Sequence, residues 1–176
     1  TIAFTRGSDI TTDAETEFSV GYSTVEGTTQ WGTSLGGSSG LASYEIESGY
    51  IIDADVCFNV NSGWTDDLEA TALHEIGHAI GFGHSPHAQS TMSYIGPGMP
   101  SAADEVGRRL SSDDMIGLSM SYPETGFLAA RGTISGTIKN GVPANMHLAQ
   151  IGVFDSDGIL VTTTVCLMVT WCFFVI

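Results

Sequence analysis

Positive charge is nearly missing from this sequence. Lys139 is the one lysine, and lysine and arginine together number five against 20 acidic residues, for a net charge of −15. A surface of that sign repels phosphate backbones and anionic lipid headgroups, which excludes nucleic acid as a partner and argues against a membrane surface. Cysteine is scarce as well. Cys57, Cys166 and Cys172 make an odd count with no C-x-x-C, so neither a disulfide framework nor a thiolate zinc site is expected. Charge disappears entirely from residues 159–176, "ILVTTTVCLMVTWCFFVI". Eighteen residues is the short limit for a spanning helix. The four threonines, the β-branched residues and the lack of a basic flank fit strands of a partial β module better than a membrane anchor. The sequence starts at Thr1 rather than Met and shows no signal-peptide pattern, so the chain is read as a processed form or an excerpt.

What is present suits a loop-rich globular protein. The chain has 176 residues, 42% of them hydrophobic and 22 of them glycine, enough for one domain with a real core and a fragment of a second. "TIAFTRG" and "EFSVGYSTV" read as short strands, and "TSLGGSSG" at 33–40 as a loop. "YIIDADVCFNV" at 50–60 alternates, with Ile52, Ala54, Val56, Phe58 and Val60 on one face, and predicts a half-buried strand. A helix follows "NSGW". Thr65 or Asp66 would cap it, Asp66, Asp67 and Glu69 place negative charge in its first turn, and Leu68, Ala72, Ile76, Ala79 and Ile80 form an apolar stripe. Gly81 and Gly83 would end it.

A last helix is expected at "LSSDD", with Ser111 as N-cap and Asp114 completing a capping box. Met115, Leu118 and Tyr122 would share one side of it, and Pro123 would stop it. Asp113 and Asp114 are adjacent carboxylates, and capping explains them better than catalysis. Beyond that point the texture becomes that of strands, with turns at Asn140-Gly141 and Asp157-Gly158. "DSDG" at 155–158 is read as a plain turn, because the remaining ligands of a calcium loop are missing. The expected division is a first domain over 1–125 and an incomplete β-sandwich-like segment over 126–176.

Chemistry concentrates in "ALHEIGHAIGFGHS", residues 72–85. His74 and His78 stand one helical turn apart and differ by about 40° around the axis, so both imidazoles can face one ion. His84 cannot join them from a straight helix. Gly81 can adopt positive φ, end the helix and turn the chain back. Three imidazoles leave a fourth zinc position open to water, the pattern of a catalytic rather than a structural site. Glu75 lies beside the first histidine, where a carboxylate can take that water's proton and pass it to a leaving amine. A core helix with incidental histidines is the competing reading. The full H-E-x-x-H-x-x-G-x-x-H pattern is far rarer by chance than the bare H-E-x-x-H. His87 and His147 are read as ordinary solvated or structural side chains.

"HEIGHAIGFGH" is the long zinc motif of the metzincin metallopeptidases. Met92 in "STMSY" stands where that clan carries the methionine of a tight turn near the metal. The short interval from His84 to Met92, Ser85 after the third histidine, "LSSDDMIGLSMSYP" and "GLASYEIESGYIIDADVCFNVNSGWT" resemble the matrixin (matrix metalloproteinase-like) family over residues 1–123. The resemblance implies an α+β zincin/metzincin-like catalytic domain with a twisted mixed β-sheet and an active-site helix, followed by the short partial β segment. It implies a secreted, monomeric zinc metalloendopeptidase of the extracellular matrix that cuts internal bonds of protein or peptide substrates, with Glu75 assisting a zinc-bound water. An extended substrate would pair with the edge strand Leu41, Ala42, Ser43 and Tyr44. The alternative is a catalytically silent binding or adhesion protein that keeps the metal fold.

The sequence also departs from the family. Ser43 and Cys57 stand where matrixins carry histidines for a second, structural zinc, and Asn59 and Ser62 replace acidic calcium ligands. One catalytic Zn2+ is therefore expected, and Ca2+ lacks support at the usual positions. Tyr94, two places after Met92, is similar to the tyrosine of the astacin and serralysin turn and is a candidate fifth ligand or transition-state donor; a pocket-lining role is the alternative.

Overall fold

The computed structural model describes residues 18–24, 27–29, 32–61, 68–93, 108–136, 149–166 and 172–175. The segment "TIAFTRG", the helix caps at 65–66, Tyr94, the Asn140-Gly141 turn and His147 lie outside the described residues. The described elements form two compact units, one ending at Gly83 and the other starting at His84.

The first unit is a three-stranded mixed sheet with a helix against it. Strands β1 (Ser19–Tyr22), β2 (Gly40–Glu47) and β3 (Tyr50–Phe58) are ordered β1-β3-β2. β1 runs parallel to β3, and β2 runs antiparallel to it. Ser48 and Gly49 connect β2 to β3 with φ of 52° and 84°, and positive φ at both central residues is the I′ geometry that matches strand twist in a two-residue hairpin. A register shift between Glu45 and Ile46 marks a bulge near that end.

β3 is buried more completely than alternation suggested. From Asp53 to Phe58 every residue is buried, so the expectation of a half-buried strand is corrected. The cause is its central place between β1 and β2, with helix α1 (Leu68–Ala79) packed against β2 and β3. One face carries Ala54, Val56 and Phe58, which form the core with Ala79, against Ala42, Ile51 and Ala72. Burying a side chain such as Val56 or Phe58 stabilises by roughly 2 kcal/mol. The other face holds Asp53, Asp55 and Cys57, and the Ser19 hydroxyl donates to Asp55. Cys57 is fully buried and in no disulfide.

The expected apolar stripe of α1 is also corrected. Leu68 is exposed and Ile76 only half-buried, whereas Ala70, Thr71, His74, Glu75, Gly77 and Ala79 are buried. Small residues let the helix approach the sheet closely, and His74 and Glu75 are buried along with them. The helix ends as the glycines predict. Gly81 takes φ 97°, its N–H donates to the His78 carbonyl at 2.8 Å, and the Phe82 N–H donates to the Gly77 carbonyl at 2.9 Å. This pair of bonds is a Schellman cap, which satisfies carbonyls the helix leaves open.

The second unit contains the loop from His84, helix α2 (Ser112–Ser121), and strands β4 (Thr133–Gly136), β5 (Ala149–Phe154), β6 (Leu160–Cys166) and β7 (Cys172–Val175). β5 pairs with β6 and β4 with β7, both antiparallel. The β5–β6 turn is tied by the Asp155 carboxylate, which accepts from the N–H groups of Asp157 and Ile159 at 2.9 and 2.8 Å, with Gly158 at φ 79°. The chain turns at Asp157-Gly158, as the sequence suggested. Parts of the uncharged end form β6 and β7, and no helix among the described residues is long and apolar enough to cross a membrane.

α2 begins with the expected capping box, Ser111 accepting from the Asp114 N–H while Asp114 accepts from the Ser111 N–H. The expected apolar side does not hold it, since Met115 and Tyr122 are exposed and Leu118 is half-buried. Its buried residue is Asp114. That carboxylate accepts from the Ser90 hydroxyl, the Thr91 N–H at 2.8 Å, the Met92 N–H at 3.3 Å, and both the N–H and the hydroxyl of Ser111 at 2.9 and 2.7 Å. Burial alone would raise its pKa, but the donors from Ser90, Ser111 and Thr91 outweigh it and hold the carboxyl below its ordinary value.

A depressed folded-state pKa contributes stability that is present above the unfolded value and lost as pH falls through the folded one. Asp114→Ala should therefore destabilise the protein by roughly 3 kcal/mol at neutral pH. Asp114→Asn should flatten the loss of stability on acidification below about pH 4. Urea unfolding across that range checks both, and an unchanged acid slope in Asp114→Asn would contradict the assignment.

Candidate metal centre

Local folding places the first two histidines together. His74 is buried and His78 half-buried on successive turns of α1. Their rings meet edge to face with centroids 4.7 Å apart, and their Nε2 atoms are separated by 3.1 Å. His78 Nδ1 lies 2.7 Å from the Phe82 carbonyl oxygen. A carbonyl only accepts, so Nδ1 carries the proton and Nε2 presents a lone pair, as second-shell partners of metal-bound histidines arrange it. The Gly81 reversal brings that carbonyl back to the ring of His78.

His84 follows directly after Phe82 and Gly83, exposed at the start of the returning loop. His74, His78 and His84 each offer a ligand atom, and the three atoms lie within 4.8 Å of one another. Three imidazoles bound to one zinc at about 2.0–2.1 Å would stand roughly 3.4 Å apart. The 3.1 Å separation of the His74 and His78 nitrogens is close to that spacing. Imidazole is a donor that suits zinc, so the residues present fit the ion. Among the described residues this is the one group of three or more His, Cys, Asp or Glu side chains that could hold a metal.

Glu75 points to the strand beside the helix. Its carboxyl is buried, and burial pushes its pKa up to about 7 against the pull of the Ala42 N–H that donates to it. Gly40 makes this position possible. A Cβ there would stand 2.7 Å from Glu75 Cγ and 3.0 Å from Oε1, closer than a side chain tolerates. Sequence reading missed Gly40 because "GGSSG" looks like loop composition, and strand β2 begins at its last glycine.

Leu41 and Ala42 are half-buried and Ser43 and Tyr44 exposed on β2, at one edge of the described sheet. Met92 is buried in a tight turn, Ser93 N–H to Ser90 carbonyl at 3.0 Å, and its own carbonyl accepts from the Ser85 N–H at 2.6 Å. The Met92 loop is thus bonded to the residue directly after His84. Ser43 and Cys57 are not partners across the sheet; their register partners are Asp55 and Leu41. Asn59 donates its amide to the Ser38 carbonyl at 2.9 Å, so it anchors the preceding loop. His87 is half-buried in the loop, and its N–H donates to Ser85 Oγ.

A family model for matrixin matches residues 2–123. The chain belongs to the matrixin family. It is 38% identical to human matrix metalloproteinase-25 over 98 residues, which is 50% of this chain and 16% of that protein. It is 35% identical to rat stromelysin-1 over 75 residues, 40% of this chain and 15% of the relative. The matched segments therefore span about a sixth of these relatives' lengths. No solved structure matches the chain significantly. Matrixin membership implies zinc, and among the described residues the histidine triad is the group that could hold it.

The crowding at Gly40 yields a test that needs no substrate. In zinc-free protein the Glu75 carboxyl should protonate near pH 7, seen as an infrared carbonyl band that Glu75→Gln abolishes. Gly40→Val should drive Glu75 out of its niche and return that midpoint toward the ordinary glutamate range. A wild-type midpoint already in that range would contradict the burial of Glu75.

Proposed function

We propose that this matrixin is a zinc-dependent metalloendopeptidase whose ligands are His74, His78 and His84 and whose general base is Glu75, within a catalytic domain over residues 1–125. The observation that carries the reading is the convergence of three imidazoles beside a buried carboxylate. Zinc held by three imidazoles supplies a Lewis acid and makes a coordinated water acidic near neutral pH. The chain's own groups do the rest. Glu75 takes a proton at its carboxylate from the attacking water and returns it to the departing amine. A pKa held near neutrality by burial suits both transfers, and a bound cation nearby would favour the ionised form needed first. The Ala42 N–H fixes the carboxylate on the β2 side.

The substrate is read as an extended peptide added to β2. Ala42 donates to Glu75, so its backbone N–H faces away from β3. The alternation of an antiparallel pair then puts the peptide groups of Tyr44 on the same edge. That edge can bond an incoming strand without needing a chain end, which favours cutting internal bonds. Met92 supports the site through its turn rather than as a ligand. Tyr94 is proposed as a transition-state donor or fifth ligand. The protein is further proposed to be secreted and monomeric and to need one zinc, without calcium at the usual positions. A silent metal-holding protein has no use for a base at position 75, so that alternative is not favoured. The segment 126–176 is proposed as part of a second, β-sandwich-like module.

Cleavage of an unstructured protein by wild type and Glu75→Ala, each assayed for bound zinc, tests this. Wild type should cut internal bonds. Glu75→Ala should keep one zinc per chain and lose at least about 10³-fold in rate, since proton transfer by a positioned base contributes 10²–10⁴-fold. Equal cleavage by both proteins, or release of terminal residues alone, would overturn the proposal.

A further inference from the structure

The carboxylate of Asp113 is occupied by a part of the chain that lies beyond the family match. Capping does not require it, because Ser111 and Asp114 already complete the box at the start of α2. Its Oδ1 accepts from the Thr162 hydroxyl at 3.0 Å, the Thr163 N–H at 2.5 Å and the Thr163 hydroxyl at 3.1 Å. Its Oδ2 accepts from the Ser85 hydroxyl at 2.7 Å and shares the Thr163 hydroxyl at 3.0 Å. Four donors converge on a group with about four acceptor sites, so it is filled. The Ser112 hydroxyl adds a bond to the Leu160 carbonyl at 3.2 Å, and α2 packs along β6. Thr162 is buried. Residues 160–163 lie some forty positions past the end of the matrixin match at 123.

Ser85 is the other half of the arrangement. Its hydroxyl donates to Asp113 and accepts from the His87 N–H at 3.1 Å, while its own N–H donates to the Met92 carbonyl at 2.6 Å. These bonds hold the residue directly after His84 on three sides. Hydrogen bonds to an ionised acceptor are about twice as strong as neutral ones, so Asp113 is the firm point of the set.

We propose that the β5–β6 hairpin is a brace for the third histidine: Thr162 and Thr163 fix Asp113, and Asp113 fixes Ser85 and hence the backbone at His84. Asp113 is a positioning residue, and the segment past the family domain becomes part of what rigidifies the metal-binding loop. The proposal rests on reading His84 as a ligand, but the rigidity it describes exists without metal.

The test uses the full chain and two readouts, amide hydrogen exchange over Ser85–Ser93 in chelator-treated protein and the rate of zinc release to a chelator. Replacing Thr162 and Thr163 together by valine removes two hydroxyl donors and little volume. Exchange at the Ser85 and Ser93 amides and zinc release should each rise about threefold or more, the effect of losing local protection. Serine at both positions should restore wild-type values. In an Asp113→Ala background the valine pair should add nothing, because both act through one carboxylate. Valine variants with a lowered unfolding midpoint but unchanged exchange over 85–93 would overturn the brace, as would valine effects that persist in full without Asp113. Faster exchange in a chain that binds no zinc would uphold the brace and sink the ligand reading instead.

Discussion

The reversal of the chain at Gly81 is the constraint on which the candidate metal centre depends. A straight helix can aim two imidazoles at one point and never a third. With φ at 97°, Gly81 closes α1 through two backbone bonds and returns the chain along the helix end. The same turn brings the Phe82 carbonyl to His78 Nδ1 and so fixes which nitrogen is left for a metal. A residue with a Cβ would be strained at that φ, and it would also stand 3.1 Å from Ile51 Cδ1 on β3. Backbone geometry, tautomer and ligand direction thus follow from one position.

The Glu75 carboxyl answers to a second close approach. α1 buries small residues, Ala70, Gly77 and Ala79 among them, and the strand it meets begins with Gly40. Small against small lets a carboxylate lie between helix and strand with one backbone donor, partly desolvated and therefore held near neutrality. In the other unit, polar contacts take the place that apolar packing would have. Asp114 gathers the Ser90–Met92 turn and its own helix cap, and Asp113 gathers Ser85 and the hairpin threonines. Two adjacent carboxylates on the first turn of α2 serve different segments because successive helix positions point in different directions.

Much of this was legible in the sequence where local rules govern. The helix ending at Gly81, the capping box of Ser111 and Asp114, the strand at 50–58 and the turn at Asp157-Gly158 each depend on neighbours a few residues apart. The clustering of His74, His78 and His84 was legible for the same reason, since their spacing is set by helical pitch and one turn. The buried face of α1 was not. Counting apolar residues selects Leu68 and Ile76, whereas the helix turns His74 and Glu75 inward, and a site violates the polar-outside rule that the pattern assumes. The two-sided burial of β3 was hidden because alternation cannot show that a strand is central. Gly40 against Glu75 and Asp113 against Thr162 and Thr163 join residues 35 to 50 positions apart, and no local pattern encodes such pairs.

The central claim is that His74, His78 and His84 together hold one zinc and leave a position open. X-ray absorption at the zinc edge of the loaded, full-length chain tests it most directly. The account predicts one zinc per chain, three imidazole nitrogens and one further light atom at about 2.0–2.1 Å, with no sulfur, and loss of one imidazole in His84→Ala. A zinc shell containing cysteine sulfur, a shell unchanged by His84→Ala, or no retained zinc would contradict it.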